Sequence, residues 1–138
     1  MTSIVIVTDD QIVLRAGKGS GPIKGLQSMR VMSGAPHITY LNSPPHHYAL
    51  VHSHTEAEIM VVIKGRMLFN GQWCGVGSVI YVPANEEYWY STTEEGCLVS
   101  LIRPGGQGET KAGREMLAAG DLQPIQTEQI TADAHPAS

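Results

Sequence analysis

The chain has 138 residues, with nine Lys and Arg against thirteen Asp and Glu for a formal net charge of −4, a length that holds one hydrophobic core but is short for two. With no basic run and no aromatic-interleaved basic patch to follow a phosphate backbone, nucleic acid is excluded as an expected partner. The longest apolar run, Ile59 to Ile63, falls far short of the roughly 20 residues a spanning helix needs, and no basic segment followed by an apolar stretch opens the chain, so a soluble, cytoplasmic protein without a membrane partner is expected.

In chain order, short β-rich runs predict strands over Ile4 to Val7, Ile12 to Leu14, Met29 to Met32, His37 to Leu41, Tyr48 to His54, Glu58 to Ile63, Arg66 to Phe69, Ser78 to Val82, Glu87 to Ser91 and Leu98 to Ile102. Gly, Pro and Asn separate them, and no amphipathic helix interrupts the series, which favours an all-β sandwich or barrel. Asn70-Gly71 is a two-residue hairpin signal because both positions tolerate positive φ, and Gly75-Val76-Gly77 makes a second reversal. The glycine-rich stretch Lys18 to Gly25 matches no phosphate-binding motif and reads as a loop. Past Arg103 the texture changes: Pro104 to Gly108 is a turn, Lys111 to Ala119 predicts a short helix stopped at Gly120, and a polar, Ala-rich tail containing His135 follows. The expected organisation is one domain over residues 1–138, with its core at about 26–103 and the turn, helix and tail over 104–138. Cys74 and Cys97 form no Cys-x-x-Cys or zinc-finger cluster and read as small buried thiols in a reducing compartment.

The chemistry concentrates in Tyr48-Ala-Leu-Val-His52-Ser-His54-Thr-Glu-Ala-Glu58. Alternation along an extended strand puts Tyr48, Leu50, His52 and His54 on one face, with successive same-face residues about 6.6 Å apart, close enough for both imidazoles to lean onto one ion. Glu58 arrives from the next strand. Two histidines and a carboxylate resemble a facial triad with open positions, so one divalent transition-metal ion per chain is expected, Fe(II) first, with Zn, Mn, Ni and Cu accepting the same donors. The bland alternative is a solvated histidine pair with Glu58 on an exposed turn.

His52-x-His54-x3-Glu58-x6-Gly65 resembles the first motif of the cupin superfamily in spacing and residue type. The second motif, Gly-x5-Pro-x-Gly-x2-His-x3-Asn, is similar to the stretch from Gly77 through Pro83, Asn85 and Tyr88, with Asn85 at the usual glycine and Tyr88 where the last histidine ligand stands. The resemblance implies a small single-domain cupin: a double-stranded β-helix or jelly-roll barrel, a short C-terminal helix or tail, a metal held by His52, His54 and Glu58 near one mouth, and a homodimer.

Tyr88 leaves three readings open. It could complete the metal site as a phenolate, act as a general acid or base beside a bound substrate, or line the cavity. Tyr90 shares its face, and Trp89 points the other way. His46 and His47 read as a loop pair at the rim, Glu56 as a reserve ligand and Arg103 as a surface charge. His37, Tyr40, Met60, Met67 and Tyr90 are the expected substrate-pocket residues, and an apolar pocket with few polar groups suits a small organic ligand. The expected function is a metal-dependent enzyme on a small oxygenated organic molecule, with iron-dependent dioxygenation narrowly ahead of a redox-neutral isomerase, lyase or cyclase that uses the metal as Lewis acid. A non-catalytic cupin that binds or senses a small ligand is the third reading.

Overall fold

A computed structural model describes residues 4–16 and 26–113 of the chain. The glycine-rich loop at 18–25 lies outside them, as do the tail with His135 and all of the expected C-terminal helix except its first residues, of which Lys111 and Ala112 belong to a strand. In order the elements are a 3-10 turn (Asp9–Gln11), β1 (Arg15–Ala16), β2 (Gln27–Met32), β3 (His37–Ser43), β4 (Tyr48–His54), β5 (Glu58–Phe69), β6 (Gln72–Cys74), β7 (Val79–Val82), β8 (Tyr88–Arg103) and β9 (Thr110–Ala112). Every pairing is antiparallel. The path β1-β2-β3-β8-β4-β9, with β5 joining β6, β7 and β8, curls the sheet into a jelly-roll-like half-barrel. No helix among the described residues is long and apolar enough to cross a membrane.

Two long strands organise the half-barrel. Gly65 and Gly96 are predicted breaks, yet β5 and β8 run straight past them with a shift in register. Both glycines have positive φ, and the approach is close: a Cβ on Gly65 would stand 2.2 Å from the Gly96 carbonyl oxygen, and one on Gly96 would stand 2.6 Å from that of Ser43. An extra residue in one strand reverses which side chains face inward beyond it. On β5 the buried positions are Glu58, Met60 and Val62 before the irregularity and Met67 and Phe69 after it; on β8 they are Tyr88, Tyr90 and Thr92, then Cys97, Val99, Leu101 and Arg103.

The same device corrects the reading of β4. Its register to β8 shifts between Ala49 and His52, so Ala49 is buried with His52 and His54 while Tyr48 is 48% exposed. Tyr48 therefore leaves the inner face and packs its ring against Trp89 at 5.9 Å between centroids. The Asn70-Gly71 hairpin joins β5 to β6 with positive φ at both residues. Ile4 to Val7 and Ile12 to Leu14 form no strand, and Ile4, Val5, Ile6 and Val13 are exposed. β-branched composition made them read as strands, a preference that context overrides.

Candidate functional site

β4, β5 and β8 converge at one end of the half-barrel and β9 closes its side. His52 lies opposite both Tyr88 and Ala112, and His54 lies opposite Thr110. Glu58 opens β5 after a three-residue turn, and Arg103 ends β8 on the inward side set by Val99 and Leu101. All are withdrawn from solvent: His52 and Arg103 are 3% exposed, His54 and Tyr88 4% and Glu58 1%.

Burial on that scale requires each polar atom to find a partner, and the partners form one chain. The Tyr88 hydroxyl donates to Glu58 Oε2 at 2.6 Å, so its oxygen receives the His54 Nε2 hydrogen at 2.9 Å. His54 Nδ1 is then the acceptor for the Thr110 hydroxyl at 2.9 Å. At the other end Arg103 Nε donates to Glu58 Oε1 at 3.1 Å, and its Nη1 donates to the Gln107 carbonyl at 2.9 Å. Arg103 Nη2 lies 3.4 Å from both ring nitrogens of His54, which sets the guanidinium against the ring rather than along one lone pair. His52 stands apart from this chain: its Nδ1 donates to the Leu50 carbonyl at 2.7 Å, which leaves Nε2 as a lone-pair acceptor.

The electrostatics hold the rings neutral. Burial pushes the His54 imidazole far below its ordinary pKa, and the charge of Arg103 and the neighbouring His52 add to it. His52 moves the same way through burial, against opposing contributions from the Leu50 hydrogen bond and Glu58. Tyr88 is driven well above the usual phenol range, first by burial and then by Glu58. It is a neutral phenol that holds its proton on the carboxylate, not a phenolate.

This arrangement overturns the expected metal centre. The expected divalent transition-metal ion, whether Fe(II), Zn, Mn, Ni or Cu, needs lone pairs from His52, His54 and Glu58, with Tyr88 as the candidate fourth donor. Each Glu58 oxygen already accepts a hydrogen bond, one from Arg103 and one from Tyr88, His54 Nε2 carries a hydrogen, and Tyr88 is protonated, so of the four side chains only His52 presents a nitrogen lone pair with no hydrogen-bond partner. Among the described residues no group of three or more His, Cys, Asp or Glu could hold a metal ion. The residue the sequence concealed is Arg103, read as a surface charge and found at the centre, where its guanidinium supplies the positive charge that Glu58 requires. Its only signal was parity: it continues the inward alternation of Val99 and Leu101.

A cavity of about 30 Å³ adjoins the chain, lined by apolar walls from Leu41, Ala49, Met60 and Leu101 and by the polar groups of His52, Tyr88 and Arg103. That volume accommodates about two water-sized groups, so it fits the reacting end of a small molecule. Of the expected pocket residues, Met60 and Tyr90 line it; Met67 is buried in the core, and His37 and Tyr40 lie on β3 outside the lining. His37 is 1% exposed with Nε2 3.3 Å from the Thr39 hydroxyl. His47 reaches the rim, its ring 5.9 Å from that of Tyr90, whereas His46 and Glu56 are not part of the lining.

No protein-family model matches the sequence, and no curated sequence matches it. The structure does match solved ones. A cupin-like protein from Thermotoga maritima superposes with a TM-score of 0.60 at 18% identity, covering 74% of this chain and 88% of that one. KdgF from Halomonas sp. gives 0.57 at 15% identity, covering 75% and 94%. The DMSP lyase DddQ from Ruegeria pomeroyi gives 0.55 at 14% identity, covering 67% of this chain but 56% of that one, so this chain spans little more than half its length. At these identities the likeness establishes the cupin fold and says nothing of activity.

Proposed function

We propose that the chain is a redox-neutral acid–base enzyme of cupin fold, an isomerase or lyase for a small oxygenated organic molecule, in which His52 Nε2 removes a proton and the Tyr88–Glu58–Arg103 chain steadies the charge that develops. The observation that carries this reading is the uncommitted Nε2 of His52 at a small, mostly apolar cavity, beside a buried, fully connected proton network. A neutral imidazole held by a backbone carbonyl is in the protonation state a general base requires.

In this reading the substrate's carbonyl end enters among Leu41, Ala49, Met60 and Leu101. A proton on the adjacent carbon passes to His52 Nε2, the electron pair left behind forms a carbon–carbon double bond to the carbonyl carbon, and the carbonyl π pair moves onto oxygen to give an enolate. As the oxygen pair re-forms the carbonyl, the enolate either takes the proton back from His52 at a new position, or forms a double bond to the next carbon as the leaving group departs with its bonding pair, His52 keeping the proton. Tyr88 lies against His52, ring centroids 4.5 Å apart, and Arg103, which also lines the cavity, supplies positive charge on the side where oxyanion character develops. Iron-dependent dioxygenation is set aside, because the donors it would use are engaged by Arg103 and Tyr88.

Solvent-deuterium exchange tests the proposal: a panel of small keto and hydroxy compounds is incubated with the protein in D2O, and each carbon–hydrogen signal is followed by NMR. Exchange or turnover of one class, abolished in His52→Ala, is the expected result. Saturable binding of a compound with no exchange or elimination would instead favour a ligand-binding module, a reading supported by how completely Glu58, Tyr88 and His54 are satisfied by one another.

A further inference from the structure

We infer that the cavity selects an uncharged substrate, whose reacting end is a neutral aldehyde, ketone, ester or amide and not a carboxylate or an organic cation. This substrate class extends the reading of the cavity as the reacting site and rests on it.

Among the described residues the cavity lining carries one formal charge, the Arg103 guanidinium. Glu58 matches it inside the protein, 3.1 Å away and 1% exposed, so the two sum to zero before any ligand arrives. The other ionisable groups of the lining are imidazoles and phenols. Burial lowers the pKa of His47, His52 and His54 and raises those of Tyr88 and Tyr90, the latter to about 12, so each is neutral at neutral pH. Leu41, Ala49, Met60 and Leu101 complete the walls with apolar surface.

A carboxylate entering this space would lose its water and meet no unmatched positive charge. An organic cation would meet no unmatched negative one. Either would stand as a net buried charge, which a dry interior strongly disfavours. A carbonyl oxygen asks only for hydrogen bonds, and Arg103 has donors to spare: its Nε is engaged by Glu58 and its Nη1 by the Gln107 carbonyl, out of the five N–H groups of a guanidinium. Proton transfer keeps the same balance. When the proton leaves the substrate carbon for His52 Nε2, the ring gains one positive charge and the enolate one negative, so a neutral substrate leaves the cavity neutral throughout. A carboxylate substrate would have to become a dianion there.

Acetate, acetamide and acetamidinium test the selection, because they are a planar anion, neutral molecule and cation of one size. Each is titrated into the full chain to about 100 mM, the range that so small a ligand calls for, and binding is read from the NMR signals of the His52 ring, assigned by their loss in His52→Ala. Acetamide should bind at least about 10-fold more tightly than either ion, a modest share of the penalty for burying an unmatched charge. Glu58→Gln removes the counter-charge with little change of shape and should turn the preference to acetate. Glu58→Gln combined with Arg103→Met carries neither charge and should return it to acetamide. If Glu58→Gln alone is unfolded, the wild-type series decides. An ion that binds wild type as tightly as acetamide does, a folded Glu58→Gln that keeps the wild-type order, or no response of His52 to any of the three would each overturn the selection. The D2O panel keeps the two proposals apart: preference for acetamide with no exchange of any compound removes the base and leaves the charge selection standing, whereas exchange confined to 2-oxo acid anions does the reverse.

Discussion

The two ends of the half-barrel interior are equally dry and held together by different physics. At one end Val62, Met67, Cys97 and Val99 are all 2% exposed or less, and the burial stands on hydrophobic transfer and dense packing. At the other end Glu58, Arg103, His52, His54 and Tyr88 are as deeply covered, and their burial stands only because hydrogen bonds and one ion pair replace the lost water. β5 carries both, with Glu58 and Met60 in the polar end and Met67 in the apolar one. The apolar end should tolerate conservative change and the polar end should not, whatever the size of the side chain removed.

The largest contrast is expected at Glu58. Glu58→Ala leaves the Arg103 guanidinium buried and unpaired, at a cost of about 3–5 kcal/mol in urea unfolding. Adding Arg103→Met to Glu58→Ala should recover part of that loss, because the stranded charge is gone. A double variant less stable than the single one would mean that the pair contributes through packing and not through charge. At the apolar end Met67→Ala should cost about 2–4 kcal/mol through transfer and cavity terms, whereas Met67→Leu should stay under about 1.5 kcal/mol. Equal losses for the two Met67 variants would break the distinction between the ends.

Acid should open the polar end first. Burial, with Arg103 and Arg30 adding to it, lowers the pKa of His37 from 6.5 to about 4, and His52, His54 and His47 are lowered in the same direction. Each is neutral in the folded chain and protonates more readily once unfolded. The unfolded state therefore binds more protons as pH falls from 6.5 toward 4, and stability is lost across that window by up to ~1.4 kcal/mol per pH unit for each such group. Unfolding free energies measured from pH 8 to 4 should be flat above 7 and decline below 6.5, with a shallower decline in His37→Gln.

Much of this architecture was legible in the sequence because it is local. Strand β4 has the bounds that the sequence predicts, Tyr48 to His54, and His54 Nε2 lies 3.7 Å from Glu58 Oε2 with the His52 ring 5.0 Å from that of His54. What was not legible is long-range. The inward faces of β4, β5 and β8 each switch at an irregularity whose position depends on the paired strand, so Ala49 and not Leu50 joins the histidines. Arg103 meets Glu58 across 45 residues of sequence, and no local pattern distinguishes a buried arginine from a surface one. β9 escaped notice because Thr110 to Ala112 has no strand periodicity of its own and is held by its partner His52 to His54. The metal expectation failed at that point: donor spacing was visible, and the cation already supplied by the fold was not.

Within the polar end, two tyrosines on one face of β8 differ in how many partners depend on them. Tyr90 shares a single hydrogen bond with Ser43, 2.9 Å between their oxygens, and Ser43 is a hydroxyl that can rotate toward another partner. Tyr90→Phe should therefore cost about 1 kcal/mol. Tyr88 instead joins Glu58 to His54, and Tyr88→Phe removes both the donor to a buried carboxylate oxygen and the acceptor for a buried imidazole N–H. Leaving two buried groups unsatisfied should cost about 1–3 kcal/mol for each, more than Tyr90→Phe although the same atom is deleted from the same residue type on the same strand. Chemical denaturation of both variants checks the order. Equal losses would mean that Glu58 and His54 find other partners when the phenol oxygen is gone, and that the network closes around them without Tyr88.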